Sequence, residues 1–535
     1  VEGHYSDLWQ AIASADPDRL ALKTVDGETW TYGRFAREAG SLAAWLERSG
    51  VRPGDTVAML LHNRAEFLIT FFACLAAGIT PVPLNFRLRP AEVAALLDDS
   101  GSSVLIHPAS LADVATEAAQ LADVDVTLVS VDEGEGIAAG AISWAETVAG
   151  DEPLPPHAPA DGELWIYTGG TTGRPKAVRW SAPSFFEVQL FAAYTLSGRP
   201  QPETMDDAIR ISVDSTYPPM INLPLAPFMH GTALTTSMNT LAVGGTVLIS
   251  SRARLDAEAA VRFANAEGAT RLIVAGDAIG MPIADAARAL GVGLPTVASI
   301  MSSGMRFSAE TKKALHELGD MEIIDLLAST EGGGFAVTST KGVADLPGRA
   351  QLFPTAVVFD ENFRQVQDIP GSRGILAQRG ALPLGYHRDL EKTRATFPEI
   401  EGERYVIPGD WVIVQDDRHI EFIGRGSGVI NTGGEKVYPL EVEEALLTHP
   451  AITDAAVLGV PDPRFGEVVA AVVVRSGDVT ADELAAHVGG IVAGYKKPRH
   501  VMFRESLDRT PTGKIDVGRL RGEVIADRGA SGGTT

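Results

Sequence analysis

The chain of 535 residues has a single cysteine, Cys74, so no intrachain disulfide can form and a reducing cytoplasm fits. Cys74 lies in the run Phe67-Leu68-Ile69-Thr70-Phe71-Phe72-Ala73-Cys74-Leu75-Ala76-Ala77. Such apolar neighbours make it a packing residue rather than a nucleophile. Long hydrophobic runs are also missing: this one is closed by Gly78 and followed by Pro81 and Pro83, too short and too broken for a membrane span. Val1-Glu2-Gly3-His4-Tyr5 has neither the basic start nor the apolar core of a secretion signal, so export is not expected. Positive charge is scarce, with 45 Lys and Arg against 69 Asp and Glu, a net charge of −24. Without a concentrated basic patch, that balance argues against nonspecific binding to nucleic acid or anionic membrane. An anionic ligand must be held by local loops against the overall field. Internal repeats and low-complexity tracts are absent too.

What is present is an ordinary folding composition, 45% hydrophobic and 21% charged, over a length that calls for two to four subdomains. Between Thr29 and Pro108 the pattern alternates. A helix carrying Phe35, Leu42 and Leu46 precedes a buried strand at 56–61, a helix at 64–77, a strand from Thr80, a helix at 90–98 and a strand at 103–107. The alternation returns with strand 246–249, helix 256–267, strand 271–274, helix 309–318 and strand 321–324. This is βα winding around largely parallel sheets. After about residue 350, short β runs at 357–359, 374–376 and 411–414 predict a small β-barrel-like subdomain. Beyond Ile430, helix 440–447, strands 455–460 and 468–474, helix 481–492 and strand 500–504 make a compact α+β unit of lid size, with a frayed tail at 530–535. The expected class is therefore α/β. A large N-terminal domain, 1–425, holds two βα-wound subdomains and the β subdomain, and a small mobile α+β domain, 426–535, follows it.

Residues 167–176, Tyr-Thr-Gly-Gly-Thr-Thr-Gly-Arg-Pro-Lys, suit phosphate. Glycines let successive N–H groups turn inward, hydroxyls add donors and the lysine adds a full charge. The spacing is not that of a nucleoside-triphosphatase P-loop, because Gly169 to Gly173 is one residue short and Arg174-Pro175 precedes Lys176. A second lysine turn, Pro511-Thr512-Gly513-Lys514-Ile515, stands near the chain end. Gly424, Gly426 and Gly428 alternate in a G-x-G-x-G stretch that reads as a hinge rather than a dinucleotide fingerprint, since no suitable helix follows.

Between these turns come Pro227-Phe228-Met229-His230-Gly231, Ser303-Gly304-Met305, Ser329-Thr330-Glu331, Gly409-Asp410-Trp411, Gly424-Arg425 and Gly433-Gly434-Glu435-Lys436-Val437-Tyr438-Pro439. In this order and over most of its length, the chain resembles the superfamily of adenylate-forming enzymes that includes acyl- and aryl-CoA synthetases, firefly luciferase and peptide-synthetase adenylation domains. The resemblance implies a two-step ligase in which a carboxylate attacks the α-phosphate of ATP and a thiol then displaces AMP. It implies that Thr168, Gly169, Gly170, Thr171, Thr172, Gly173 and Lys176 surround the phosphates and that Glu331 ligands Mg²⁺, a hard ion suited to carboxylate oxygen. Asp325 would accept from the adenine amine, Gly304 and Met305 would flank adenine and acyl group, and Leu327, Ala328, Ser329 and Thr330 would complete that wall. Asp410, with Arg425 beside it, would take the ribose hydroxyls. Lys514 would bridge carboxylate and α-phosphate during adenylation. His230, Gly433, Gly434 and Glu435 would border the thiol's tunnel, and Ser427 would hold the hinge position. Lys496 and Lys497 could meet CoA phosphates or be a solvated pair.

Departures from the family pattern are Leu327-Ala328 in place of an aromatic and a glycine, Ala177 after the loop lysine, Ser427 at the hinge and Asp508 in place of a proline. The aromatic surface lost at Leu327 is worth on the order of 1 kcal/mol of stacking. The expected function is an acyl-CoA ligase acting on a hydrophobic carboxylic acid, with ATP or a preformed acyl-AMP, Mg²⁺ and coenzyme A as cofactors. Two alternatives stay open: a specialised member that makes the thioester from an acyl adenylate supplied by a partner adenylating enzyme, and an acyl-AMP ligase loading a carrier protein. A homodimer is also compatible. Through Met229-His230-Gly231-Thr232 and Ser302-Ser303-Gly304-Met305 the chain is further similar to actinobacterial ligases for long-chain, steroid or polycyclic terpenoid acids.

Overall fold

The computed structural model describes residues 3–134, 136–155, 162–168, 175–250, 254–305, 307–425, 430–432, 435–462, 465–492, 494–510 and 515–531. They form two compact units, one of 1–348, 379–399 and 404–406, the other of 349–378, 400–403 and 407–535. The expected domain limit at 425/426 borders 426–429, which lie outside the described residues, and stands as a proposal.

The first unit is built by the βα pattern. Strands Thr80–Pro83, Thr56–Met59, Val104–Pro108, Thr127–Val131 and Ile142–Ser143 lie side by side in that order, every neighbouring pair parallel. Prolines 81 and 83 are tolerated because their strand is an edge. Helix Ala65–Ala77 is apolar nearly all round because it is buried nearly all round, and Gly78 ends it in the left-handed region at φ 68°. Cys74 is fully buried there, its thiol pushed well up by desolvation. Trp9, Phe35 and Phe72 close the contact with the preceding helices, with ring centroids 4.3 Å apart for Trp9 and Phe72 and 5.1 Å for Phe35 and Phe72.

A second sheet in this unit runs Gly333–Thr340, Glu322–Ser329, Ser299–Ser303, Arg271–Val274, Ile221–Pro224, Thr246–Ile249, Leu20–Thr24, Thr29–Thr31, parallel from Glu322–Ser329 through to Leu20–Thr24. Its order reverses at Ile221–Pro224. From there the chain crosses helix Gly231–Ala242 to Thr246–Ile249 on one side, then returns on the other at Arg271–Val274. Open parallel sheets bind ligands beyond the carboxyl ends of their strands, at such a reversal. Helix Gly276–Leu290 and strand Ser299–Ser303 are not among the sequence expectations. The helix carries Pro282 in its interior, a residue that speaks for a break rather than a helix.

In the second unit, the β texture after residue 350 becomes an antiparallel series, Ala356–Phe359, Arg373–Gln378, Asp410–Val414, His419–Arg425 and Ala350–Leu352. The α+β part pairs Ile452–Asp462 antiparallel and His500–Arg504 parallel with Gly466–Arg475. Val442, Leu446, Leu484 and Val488, from helices Pro439–Leu447 and Ala481–Ile491, share one core with Val469, Ala471 and Val473. Leu520 and Val524, from helix Val517–Ser531, share another with Val468, Ala470 and Val472 on the opposite face. That last helix extends to Ser531, two residues into the tail expected to fray from Ala530, and 532–535 lie outside the described residues.

Candidate active site

Four sequence motifs fall where strands of the first unit end. Thr168 closes strand Glu163–Thr168, Lys176 opens strand Lys176–Ser181, and the two residues face each other in the antiparallel register, so the two strands form a hairpin. Gly169, Gly170, Thr171, Thr172 and Gly173 lie outside the described residues. The hairpin base is fixed by Tyr167, whose hydroxyl donates to Asp99 Oδ2 at 2.6 Å, and by Trp165, whose ring lies 4.2 Å from that of His387. Burial, then the hydrogen bond to Asp99, pushes the Tyr167 hydroxyl well above its ordinary range, which keeps it a donor.

Strand Gly385–Tyr386 adds to the same hairpin, with Tyr386 opposite Val178. This register brings two side chains to the motif residues. Asp389 accepts an ion-paired hydrogen bond from Lys176 Nζ through Oδ2, while its Oδ1 accepts from the backbone N–H of Lys392 at 2.9 Å and caps helix Leu390–Thr396. The Tyr386 hydroxyl donates to Glu331 Oε1 at 2.9 Å. Farther along the hairpin, Trp180 Nε1 donates to the Thr330 carbonyl at 3.1 Å, which docks the Ser329-Thr330-Glu331 turn onto it. Thr168, Lys176, Thr330 and Glu331 are thus assembled by one three-stranded sheet.

Ser299–Ser303 and Glu322–Ser329 pair in parallel, Ser302 opposite Asp325 and Ser303 opposite Leu326, so Gly304 and Met305 emerge beside Leu327 and Ala328. Gly304 has φ 76° with open space where a Cβ would stand, so conformation rather than crowding requires the glycine. Asp325 Oδ2 accepts from Lys312 Nζ at 2.8 Å. Desolvation raises the Asp325 carboxyl above the ordinary carboxylate range, with Lys312 opposing it. Ser329 Oγ is buried and finds no partner among the described residues. Leu327, Ala328 and Met305 are half-buried, leaving an aliphatic wall where an aromatic was absent from the sequence.

His230 precedes helix Gly231–Ala242 at the sheet's reversal point. Asn63 holds the approach to it: Nδ2 donates to the carbonyls of Pro224 at 3.1 Å and Ala226 at 2.9 Å, and Oδ1 accepts from Phe228 N at 2.7 Å. Asn63, Lys312, Tyr386 and Asp389 are absent from the sequence-derived site. Asp389 alone left a local signal, an acidic N-cap residue ahead of a short helix.

In the second unit Asp410 is buried and stands directly across from Arg425 in the antiparallel register of Asp410–Val414 with His419–Arg425, so the residues expected at the ribose are neighbours. Lys496 pairs with Glu441, an occupation that favours the structural reading of that lysine over a CoA contact. Ser427, Gly433, Gly434 and Lys514 lie outside the described residues, as do the side chains of Arg425 and Glu435.

Glu331 fits a hard cation. It is half-exposed, and Oε2 has no hydrogen-bond donor among the described residues. No cluster of three His, Cys, Asp or Glu side chains surrounds a metal position among those residues. Mg²⁺ takes one or two carboxylates and completes its shell with phosphates and water, and a carboxylate such as that of Glu331 is a donor of that kind.

Two family models match the chain, AMP-binding enzyme over residues 9–386 and AMP-binding enzyme C-terminal domain over 441–514. A medium/long-chain-fatty-acid–CoA/3-oxocholest-4-en-26-oate–CoA ligase of Mycolicibacterium smegmatis is 35% identical, covering 98% of this chain and 97% of that protein. A 3-oxocholest-4-en-26-oate–CoA ligase of Rhodococcus rhodochrous is 33% identical, covering 96% and 94%. The solved structure of an anthranilate CoA ligase in complex with anthranoyl-AMP shares the fold, with a TM-score of 0.80 at 22% identity over 99% of this chain and 98% of that one. Among the described residues no helix is long and apolar enough to cross a membrane.

Proposed function

We propose that this chain, which belongs to the AMP-binding enzyme family, is an AMP-forming acyl-CoA ligase whose substrate is a bulky hydrophobic carboxylic acid of the long-chain fatty or steroid-side-chain class. The observation that carries the reading is the convergence of Lys176 and Glu331 on one small sheet, next to the carboxyl ends of parallel strands that present Gly304, Met305 and Asp325. A carboxylate meeting a polyphosphate is repelled unless cations and fixed donors stand where charge develops. Thr168 and Lys176, with Gly169, Gly170, Thr171, Thr172 and Gly173, receive the phosphates in this reading. Glu331 holds Mg²⁺, which screens the phosphate charge when bound.

Asp325 and Ser329 offer an acceptor and a hydroxyl at the adenine end, with Leu327, Ala328 and Thr330 in its wall, and Asp410 with Arg425 takes the ribose. Lys514 supplies the second cation for adenylation. His230, Gly433, Gly434 and Glu435 line the thiol's approach, with the hinge at Ser427 and the domain limit at 425/426. The half-buried Leu327-Ala328 wall supports a second reading, weak adenylation with thioester formation from a preformed acyl-AMP made by a partner enzyme. We read the activity as cytoplasmic, a reading that a single buried cysteine and a requirement for ATP and CoA support. The names of the relatives favour CoA over a carrier-protein thiol.

The test supplies the protein with Mg²⁺, ATP, CoA and a panel of long-chain fatty and 3-oxo-steroid side-chain acids, and in parallel with the matching acyl adenylates and CoA. Thioester with equimolar AMP and pyrophosphate is expected from the first mixture. Thioester from the second mixture alone would replace the two-step reading with the second one.

A further inference from the structure

We propose that Asp389 is a positioning residue that occupies the phosphate-loop lysine in place of the nucleotide: its carboxylate holds Lys176 until a polyphosphate displaces it. The inference rests on the reading of Lys176 as a phosphate ligand and adds a group outside the motifs that carry that reading.

Asp389 stands 213 positions from Lys176 in the chain, yet the pairing of Gly385–Tyr386 with the hairpin strand sets its carboxylate on Nζ. The two side chains are partly exposed, 26% for Lys176 and 21% for Asp389, so solvent and a ligand can both reach the pair. Partly exposed pairs are weak, and a triphosphate or pyrophosphate brings several negative charges against the single one of Asp389. Exchange is therefore favourable. The carboxylate is not stranded when the lysine leaves it, because Oδ1 keeps the Lys392 N–H and the N-cap position favours negative charge. An ordered but replaceable partner holds the long lysine side chain in one place, reducing the rotamer freedom lost when ligand binds. It also lowers affinity by the cost of breaking the pair.

Asp389→Asn separates the ion pair from the helix cap, because Asn caps a helix as well as Asp does and removes only the charge, and the sign of the change in affinity shows that competition outweighs the ordering of the lysine. Titration calorimetry of the full chain with ATP, inorganic pyrophosphate and adenosine, with and without Mg²⁺, is the measurement, and thermal unfolding checks that each variant is folded. In Asp389→Asn, ATP and pyrophosphate are expected to bind about two- to fivefold tighter, the scale of a partly exposed ion pair, with adenosine unchanged. The gain is expected to vanish when Asp389→Asn is combined with Lys176→Met and compared with Lys176→Met alone. Equal or weaker binding of ATP and pyrophosphate by folded Asp389→Asn would overturn the proposal and leave the nucleotide reading standing, as would a gain that survives loss of Lys176. Failure of both the wild type and Asp389→Asn to bind either phosphate ligand would overturn the nucleotide reading and this proposal together.

Discussion

The two ends of the proposed nucleotide site in the first unit hold their charges in opposite ways. At the phosphate end, Lys176 and Asp389 are both partly open to solvent, and among the described residues Glu331 carries only a neutral hydroxyl, that of Tyr386, on one oxygen. At the adenine end, Lys312 is 5% exposed and its partner Asp325 is 24% exposed, with the lysine also lying over the Phe307 ring at 5.2 Å. A charged ligand part needs protein charges that can change partners. An uncharged ring needs only fixed donors and acceptors, so the charges there can be buried permanently as a pair. Burial is what separates an exchangeable ion pair from a structural one, since desolvation makes a lone charge in the interior expensive.

Breaking the phosphate end should cost catalysis rather than stability. Glu331→Gln is expected to lower kcat about 100- to 1000-fold, the scale of losing one group that stabilises developing charge, or about 3–4 kcal/mol. The thermal midpoint should move by no more than about 2 °C, because the site is half-exposed and Gln can still accept from Tyr386. Steady-state rates and a melting curve on the same preparation check both. A large loss of stability with kcat intact would reverse the comparison.

Breaking the adenine end should do the opposite. Lys312→Met leaves Asp325 in a desolvated site without its cation, and unfolding in urea is expected to show about 2–3 kcal/mol of lost stability, somewhat below the loss for a fully buried pair because Asp325 is partly exposed. The effect has a pH signature. The folded-state pKa of Asp325 already lies above its unfolded value, so the folded state binds the proton more strongly and stability contributed by this group falls as pH rises through the folded pKa. Removing Lys312, which opposes that shift, deepens the fall. The destabilisation should therefore be larger at pH 8 than at pH 5, and Asp325→Asn in the same chain should flatten it. A pH-independent loss would show that Lys312 stabilises by packing on Phe307 instead.

This contrast marks the limit of what the sequence could show. Thr168 and Lys176 at the two strand ends come from local chemistry, hydroxyls and a lysine beside an apolar run, whereas Gly304 and the pair of Asp410 with Arg425 were legible only through the ordered motifs of the family resemblance. The partners came from elsewhere. Lys312 and Asp325 are only 13 positions apart, but helix Ala309–His316 and the turn after it must form before the ammonium reaches the carboxylate. Tyr386 and Asp389 belong to a stretch, 379–399, that rejoins the first unit after 349–378 has contributed to the second. No periodicity encodes that return. Helix Gly276–Leu290 was hidden for a local reason, the proline in its interior, which its buried face with Gly280, Ile283 and Ala287 outweighs.

The smallest expected effect sharpens the contrast within the phosphate end itself. Tyr386 and Asp389 arrive on the same segment but act on opposite charges: Asp389 competes with the ligand for Lys176, whereas the Tyr386 hydroxyl can stay on Glu331 Oε1 while a cation takes the other oxygen. Tyr386→Phe removes one hydrogen bond to a carboxylate without emptying the ring's place against Phe397, whose centroid lies 6.0 Å away. A hydrogen bond to a charged group contributes about 1 kcal/mol net at a half-exposed site, so the Mg²⁺ concentration giving half-maximal ATP binding is expected to rise about threefold to tenfold. Calorimetric ATP titrations at stepped Mg²⁺ concentrations read it directly. At saturating Mg²⁺ the variant and wild type should converge, since orientation of the carboxylate is then imposed by the ion. A deficit that persists at saturation would mean that Tyr386 shapes the hairpin rather than the carboxylate, and the two residues of the segment would share one structural role instead of two electrostatic ones.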